Sequence, residues 1–197
     1  MTRIIAGRAG GRRLQVPKRG TRPTTDRVRE AIFSTLDSQL AAEGAGWSGV
    51  QALDLFAGSG ALGLEALSRG AASVLFVERH PEAARILAAN VSAVDLPGAA
   101  VLRRDAFSLV KESVPACVAN LCLVDPPYDL LADQVADLLT GLLRHGWLQP
   151  DCLVVVEASA ARAQSPFPGC VQQTSRRVYG DTAVWYGRIA SVKTVCE

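Results

Sequence analysis

Two stretches of this 197-residue chain combine residue types that could do chemistry: Asp125-Pro126-Pro127-Tyr128, and Asp54-Leu55-Phe56-Ala57-Gly58-Ser59-Gly60. In the first, a carboxylate stands beside two prolines and an aromatic ring. Prolines fix φ and carry no N–H, so the backbone is restricted and neighbouring carbonyls face outward with no local donor to claim them. In the second, an acid inside the end of an apolar run is followed by Gly58-x-Gly60-x-x-Gly63. That spacing satisfies a dinucleotide-binding fingerprint, and Glu78 follows twenty residues after Gly58, where a ribose-binding acid belongs. Glycines let a ligand approach the backbone. A helix beginning near Gly60 aims free N–H groups at whatever sits there. On this pattern alone a nicotinamide-dependent dehydrogenase is a fair reading. The plainest role for Asp54 is a helix cap or turn former.

The elements that position these residues follow from hydrophobic patterning. Val50 to Leu55 is a buried strand, and Leu62, Leu64, Ala66 and Leu67 continue as a helix. Ser73–Val77 is a second apolar strand, ending in Glu78. Pro81 opens a helix to about Val94, with Ala84, Leu87, Ala88 and Val91 expected inside. Ala99–Leu102 is a third strand, leading to Asp105 and a helical stretch over 105–113. Asn120–Val124 runs into Asp125, a helix spans about Leu130 to Arg144, and Cys152–Glu157 is a fifth strand. Val171–Tyr179 and Thr182–Ile189, around Gly180-Asp181, read as a hairpin. Strands apolar throughout, alternating with helices, predict an α/β fold with a mostly parallel sheet covered on both faces. In such sheets ligands sit beyond the C-terminal strand ends. Asp54, Glu78, Asp105 and Asp125 each fall at one of those ends.

Charge is unevenly distributed. Residues 1–30 hold nine basic groups against Asp26 and Glu30, a net of +7 in a chain whose total is +2. The rest is therefore mildly acidic, and a basic segment on an acidic body is the footprint of a phosphate-backbone contact. Arg3–Gly7 and Arg12–Val16 around Arg8-Ala9-Gly10-Gly11 predict a β-hairpin that must dock on something to be stable. Pro17 to Pro23 reads as a basic linker, so residues 1–23 form an extension and 24–197 the main domain. Thr24 or Thr25 is placed to cap a helix from Asp26, with Val28, Ala31, Ile32, Leu36 and Leu40 buried and Arg27 and Arg29 outside that stripe.

No run of eighteen apolar residues exists and no apolar segment follows the basic N-terminus, which predicts no membrane span and no secretion signal. Five cysteines, Cys117, Cys122, Cys152, Cys170 and Cys196, form no CxxC pair, and His80 and His145 are isolated. They read as reduced thiols in a cytoplasmic protein without a metal site. Trp47, Trp147 and Trp185 read as packing residues.

The order Phe56-Ala57-Gly58-Ser59-Gly60, after a strand-end acid, resembles the cofactor loop of class I S-adenosylmethionine-dependent methyltransferases. Asp125-Pro126-Pro127-Tyr128 is similar to the (Asn/Asp)-Pro-Pro-(Tyr/Phe) signature of methyltransferases acting on planar amino nitrogens. Arg22-Pro23-Thr24-Thr25-Asp26-Arg27-Val28-Arg29-Glu30, the leading Arg3-Ile4-Ile5-Ala6-Gly7 and the closing Arg177-Val178-Tyr179-Gly180 extend the likeness end to end, to the RsmD family of bacterial 16S ribosomal RNA (guanine-N2)-methyltransferases.

That resemblance implies a Rossmann-like, seven-stranded sheet with S-adenosylmethionine as cofactor. It implies that Asp54 receives the methionine amino group, directly or through water, and that Phe56, Ala57, Gly58 and Gly60 form the cofactor loop. Glu78, with Arg79 beside it, takes the ribose diol, and Asp105 and the Ala106 N–H meet the adenine. Asp125, with Pro126 and Tyr128, is the implied catalytic set. An exocyclic base amine is a poor nucleophile because its lone pair is delocalised. An Asp side chain and a main-chain carbonyl accepting its hydrogens favour the pyramidal geometry of attack, while Tyr128 stacks on the base. Arg3, Arg8, Arg12, Arg13, Lys18, Arg19, Arg22 and Arg27 are the implied RNA contacts, with 16S rRNA or the small ribosomal subunit as partner and a monomer as the working unit. The other readings are an adenine N-methyltransferase using the same tetrapeptide, a non-catalytic RNA-binding assembly factor, and the dehydrogenase.

Overall fold

The computed structural model describes residues 2–17, 25–112, 119–127, 129–161 and 164–190. Cys117, Cys196, Lys18, Arg19, Arg22, Thr24 and Tyr128 lie outside the described residues, as does the linker from residue 18 onward. In chain order the elements are β1 (Thr2–Arg3), β2 (Arg13–Leu14), α1 (Asp26–Ala42), β3 (Gln51–Leu55), α2 (Ala61–Arg69), β4 (Ser73–Val77), α3 (Pro81–Val94), β5 (Ala99–Leu102), β6 (Ala119–Val124), α4 (Ala132–Arg144), β7 (Leu148–Ser159), β8 (Val171–Tyr179) and β9 (Thr182–Ile189). A short 3-10 turn, Ala106–Lys111, stands where the third helix of the pattern was expected.

Seven strands form one sheet in the order β5-β4-β3-β6-β7-β9-β8. The pairs β3–β4, β4–β5, β3–β6 and β6–β7 are parallel, whereas β9 is antiparallel to both β7 and β8. The order reverses between β3 and β6. The chain first builds outward through β4 to β5 and then crosses back to pair β6 with β3, which leaves a crevice at their C-terminal ends. This is the class I methyltransferase arrangement that the resemblance implied, with a small antiparallel β1–β2 pair at its N-terminus.

One apolar cluster joins α1, α2 and α3 to one face of the sheet, with Ile32, Phe33, Leu36, Leu67, Phe76 and Leu87 at its centre. The other packs α4 and the 3-10 turn on the opposite face through Leu109, Leu138, Leu142 and Trp147. Trp147 and Trp185 are buried, as packing residues should be. Thr25 caps α1, accepting from the Val28 N–H at 3.3 Å.

Three expectations are corrected. Arg29 is fully buried rather than outside the α1 stripe: its guanidinium donates to the Arg3 carbonyl and to Asp26 Oδ1, joining β1 to α1. Ala88 is exposed, and the inner face of α3 is instead Ala83, Ala84, Ile86, Leu87, Asn90 and Val94. The N-terminal hairpin keeps only two residues in each strand, because its backbone donors turn to side chains of the main body. Ile5 and Ala6 donate to the buried Glu65 carboxylate at 2.6 and 3.1 Å, and Ala9 donates to Ser68 Oγ at 2.9 Å. Ile4, Ala9 and Leu14 join the same apolar cluster as α1 and α2.

Candidate active site

The register of the sheet aligns the residues that leave the strands. Leu55 pairs with Val77 and Val124, and Val124 pairs with Val156. The next residue of each strand therefore forms a row along the C-terminal edge: Glu78, Phe56, Asp125, Glu157. Phe56 turns the chain out of the sheet with φ +58°, a left-handed conformation uncommon outside glycine.

Behind that row lies Asp54, 1% exposed on β3. Its Oδ2 accepts the Gly63 N–H at 2.9 Å, which ties the strand to the first turn of α2. Burial pushes this carboxyl up to about 8; the Gly63 hydrogen bond opposes the rise, while repulsion from Asp125 and Glu78 adds to it. Glu78 is also spoken for. Oε2 accepts the Gly58 N–H at 2.8 Å and Oε1 accepts the His80 N–H at 2.6 Å, so this acid shapes the glycine turn. A carboxylate has about four acceptor sites, so a ligand's hydroxyls can still be accommodated.

The three glycines do different work. At Gly58, with φ +55°, an added Cβ meets only the Phe56 carbonyl, 3.9 Å away. This backbone faces open space. At Gly60 a Cβ would lie 2.4 Å from Leu87 Cδ1, and at Gly63 it would lie 2.3 Å from the Phe76 ring. At both positions helix–sheet packing leaves no room for a side chain, and at Gly60 the left-handed backbone, with φ +82°, adds to the demand for glycine.

Asp105 caps the 3-10 turn, accepting the Phe107 N–H at 2.9 Å, and pairs with Arg79 at 3.2 Å. Ala106 is buried beneath it. Phe107 sets its ring edge-on to Phe56, with centroids 6.3 Å apart. A cleft of about 320 Å³ opens here, lined by Phe56, Arg79, Phe107, Pro127, Leu130 and Gln134 among others. Its two aromatic rings and Arg79 suit an adenosine moiety.

Asp125 donates its N–H to the Leu55 carbonyl at 3.5 Å, and Pro126 is half-buried. Pro127 departs from expectation: its carbonyl accepts the Leu130 N–H at 3.0 Å, closing a turn into α4. The Pro126 carbonyl has no such donor among the described residues. Pro126 and Pro127 also wall a second, narrower apolar slot, on the side of β7, with Val156, Glu157, Ala158 and Ser159. Sequence reasoning passed over Glu157 and Phe107. Glu157 is as readable as the other strand-end acids, since it closes an apolar strand in the same way.

The basic N-terminal residues are dispersed. Arg8 reaches the Leu67 carbonyl at 3.4 Å, at the end of α2 distant from the glycine turn. Arg12 donates to the Ala93 and Val94 carbonyls at the C-terminus of α3. Arg3 pairs with Asp26, and Arg13 and Arg27 are exposed. The hairpin nevertheless touches the cofactor turn indirectly. Buried Asn90 accepts from the Gln15 N–H at 2.9 Å and donates to the Gln15 carbonyl at 2.9 Å and the Ser59 carbonyl at 2.8 Å.

The family model described as Conserved hypothetical protein 95 matches residues 2–188. The chain belongs to that family. It is the RsmD family to which the sequence motifs pointed. Among its relatives is the ribosomal RNA small subunit methyltransferase D of Escherichia coli K12, 36% identical over 184 residues, spanning 92% of this chain and 86% of that protein. A solved structure described as methyltransferase yhhF from Escherichia coli is 33% identical, with a TM-score of 0.79 over 96% of this chain and 98% of its own. An RNA methyltransferase from Salinibacter ruber, solved with S-adenosyl-L-homocysteine, shares the fold at 17% identity and a TM-score of 0.60, over 89% of this chain and 97% of its own. Family and fold agree on S-adenosylmethionine as the RsmD-family cofactor. No helix among the described residues is long and apolar enough to cross a membrane.

Proposed function

We propose that this chain methylates the exocyclic N2 of one guanosine in 16S ribosomal RNA, on an assembled or partly assembled small subunit. The coarser part, methyl transfer to ribosomal RNA, is what the named RsmD-family relatives do. The observation that best supports the finer reading is the place of Asp125. It stands in the strand-end row between Phe56, at the mouth of the cofactor cleft, and Glu157, on the wall of the apolar slot. The slot, about 20 Å³ as it stands, must widen to take a base, which would then bring its amino group to the Asp-Pro-Pro segment from the β7 side.

S-adenosylmethionine supplies an electrophilic methyl carbon on a sulfonium. The residues that would hold it are Asp54, the Phe56–Gly60 turn, Glu78, Arg79, Asp105 and Ala106. Asp125 and the Pro126 carbonyl accept the two amine hydrogens and aim the nitrogen lone pair towards the cleft. As the N–C bond would form, the methyl–sulfur bond would break and release the neutral thioether S-adenosylhomocysteine; the nitrogen would become acidic, and its proton would pass to Asp125 or to water. No stronger base is needed. A stacked or paired guanosine must be extruded to reach the slot, and the exposed Arg13 and Arg27, with the basic residues of 18–22, contact phosphates without reading sequence.

The test is methyl transfer from labelled S-adenosylmethionine to small subunits lacking their native methylations, followed by nucleoside analysis. Labelled N2-methylguanosine in 16S rRNA is the expected product. Label in N6-methyladenosine, in DNA or in protein overturns the guanine reading.

A further inference from the structure

The outer edge of the sheet, β8, is exposed and carries net positive charge. β8 carries Gln172, Gln173, Thr174, Arg176, Arg177 and Val178 exposed, and Val178 remains 49% accessible despite being a large apolar residue. Between Cys170 and Ala190 there is one acid, Asp181, against Arg176, Arg177 and Arg188. β8 is antiparallel to β9, which is antiparallel to β7, so β8 runs in the direction of β3 and β6. Its C-terminal end thus lies on the sheet edge that holds Asp125. Register makes the placement specific: Glu157 pairs with Val184, and Val184 pairs with Arg177. Arg177 therefore continues the row Glu78, Phe56, Asp125, Glu157 on the same face, three strand spacings or about 14 Å beyond Asp125. Arg176 is held in place, its guanidinium 4.9 Å from the Trp185 ring centre and its Nη2 donating to the Ala160 carbonyl at 3.1 Å.

We propose that Arg177, at the end of β8, forms a docking point for the phosphate backbone of the substrate RNA, gripping nucleotides that flank the one presented to Asp125, while Arg176, on the opposite face of the strand, is held against Trp185. The inference rests on the ribosomal-RNA reading above and adds a surface to it. It also supplies what the N-terminal hairpin lacks. Arg3, Arg8 and Arg12 are engaged with Asp26 and with helix-end carbonyls, whereas Arg177 presents an exposed guanidinium on a strand that is an edge of the sheet among the described residues. The competing role for charge on an edge strand is to deter pairing with another chain.

The experiment compares the unaltered protein, Arg177→Ala and Arg177→Lys for binding to, and methylation of, unmethylated small subunits across a salt series, with sedimentation of each. Arg177→Ala is expected to weaken subunit binding about tenfold, the scale of one charge-assisted contact. It is also expected to lower the slope of log affinity against log salt by about one. KM should rise far more than kcat falls, and Arg177→Lys should restore the slope. Normal transfer by the unaltered protein, with an unchanged KM and slope in Arg177→Ala, overturns the docking point and leaves the function standing. Self-association of Arg177→Ala with an unchanged slope overturns it in favour of edge protection. No transfer by the unaltered protein overturns the ribosomal-RNA reading and the docking point together.

Discussion

Asp54→Asn should make the protein more stable, by an amount that grows with pH. Asp54 is sealed behind the strand-end row, its carboxyl pushed up to about 8, first by burial. In the unfolded chain the same carboxyl titrates near its ordinary value of about 3.9. Between those values the unfolded state gives up the proton and the folded state keeps it. The folded state thus binds more protons, and stability falls as pH rises through that window, by at most about 1.4 kcal/mol per unit. Asparagine cannot ionise, and its side-chain oxygen can accept the Gly63 N–H in the same way. The variant therefore lacks this downward slope. From pH 5.0 to pH 7.5 the stability difference between variant and parent should widen by about 3 kcal/mol.

Urea denaturation of both proteins at those two pH values measures it, since contributions from other titrating groups largely cancel in the difference. A gap that does not change with pH would mean that Asp54 is ionised in the folded protein throughout, and the argument from burial would fail. The same acid gives cofactor binding a pH dependence of opposite sense. A cationic methionine tail favours the ionised carboxylate, so binding should expel a proton and tighten as pH rises from about 6 towards 8. Calorimetry in buffers of different ionisation enthalpy reads the released proton directly.

Asp125→Ala should abolish methyl transfer while cofactor affinity, measured by calorimetry, stays within a few fold; turnover at the parental rate would remove Asp125 from catalysis. Glu78→Ala should weaken cofactor binding and also cost about 1–3 kcal/mol in denaturation, because the Gly58 and His80 N–H groups lose their acceptor. Gly60→Ala should destabilise far more than Gly58→Ala, since its Cβ collides with Leu87 while that of Gly58 enters open space. For Gly58→Ala, whose φ of +55° costs an L residue about 1–2 kcal/mol, the stability loss should be modest and the loss of cofactor affinity large. Glu65→Ala should cost about 1–3 kcal/mol, because the Ile5 and Ala6 N–H groups lose their acceptor while Arg69 keeps Asp37 at 2.6 Å; proteolysis after the hairpin undocks is the matching readout.

The sheet and the placement of its acids were legible because both are written in one dimension. A strand buried on both faces is an apolar run, and the residue that ends the run sits at the strand end; Glu78 and Asp125 therefore fall where the pattern put them. The β8–β9 hairpin bounds were legible for a similar reason, since Gly180, with φ +59°, marks the turn. The partners of those acids were not legible. Arg79 pairs with Asp105 rather than with its neighbour Glu78, because Val77 and Leu102 are paired across β4 and β5 and bring the two strand ends together. Sequence adjacency says nothing about that register.

The arginines are the sharpest case. Counted along the chain, residues 1–30 look like a single cationic arm, yet charge counted in sequence carries no information about what a side chain must do locally. Helix ends leave up to four carbonyls unsatisfied and hold a partial negative charge. A guanidinium that arrives beside one is drawn to it whatever the segment's wider role, and Arg12 at the end of α3 and Arg8 at the end of α2 meet that demand. Arg29 goes further inward because the Arg3 carbonyl and Asp26 offer it acceptors in a place where an apolar residue would leave them unmet. What remains to meet phosphate is set by three-dimensional adjacency to the strand-end row. By that criterion Arg177, remote in sequence from the basic segment, ranks above arginines that composition alone places first.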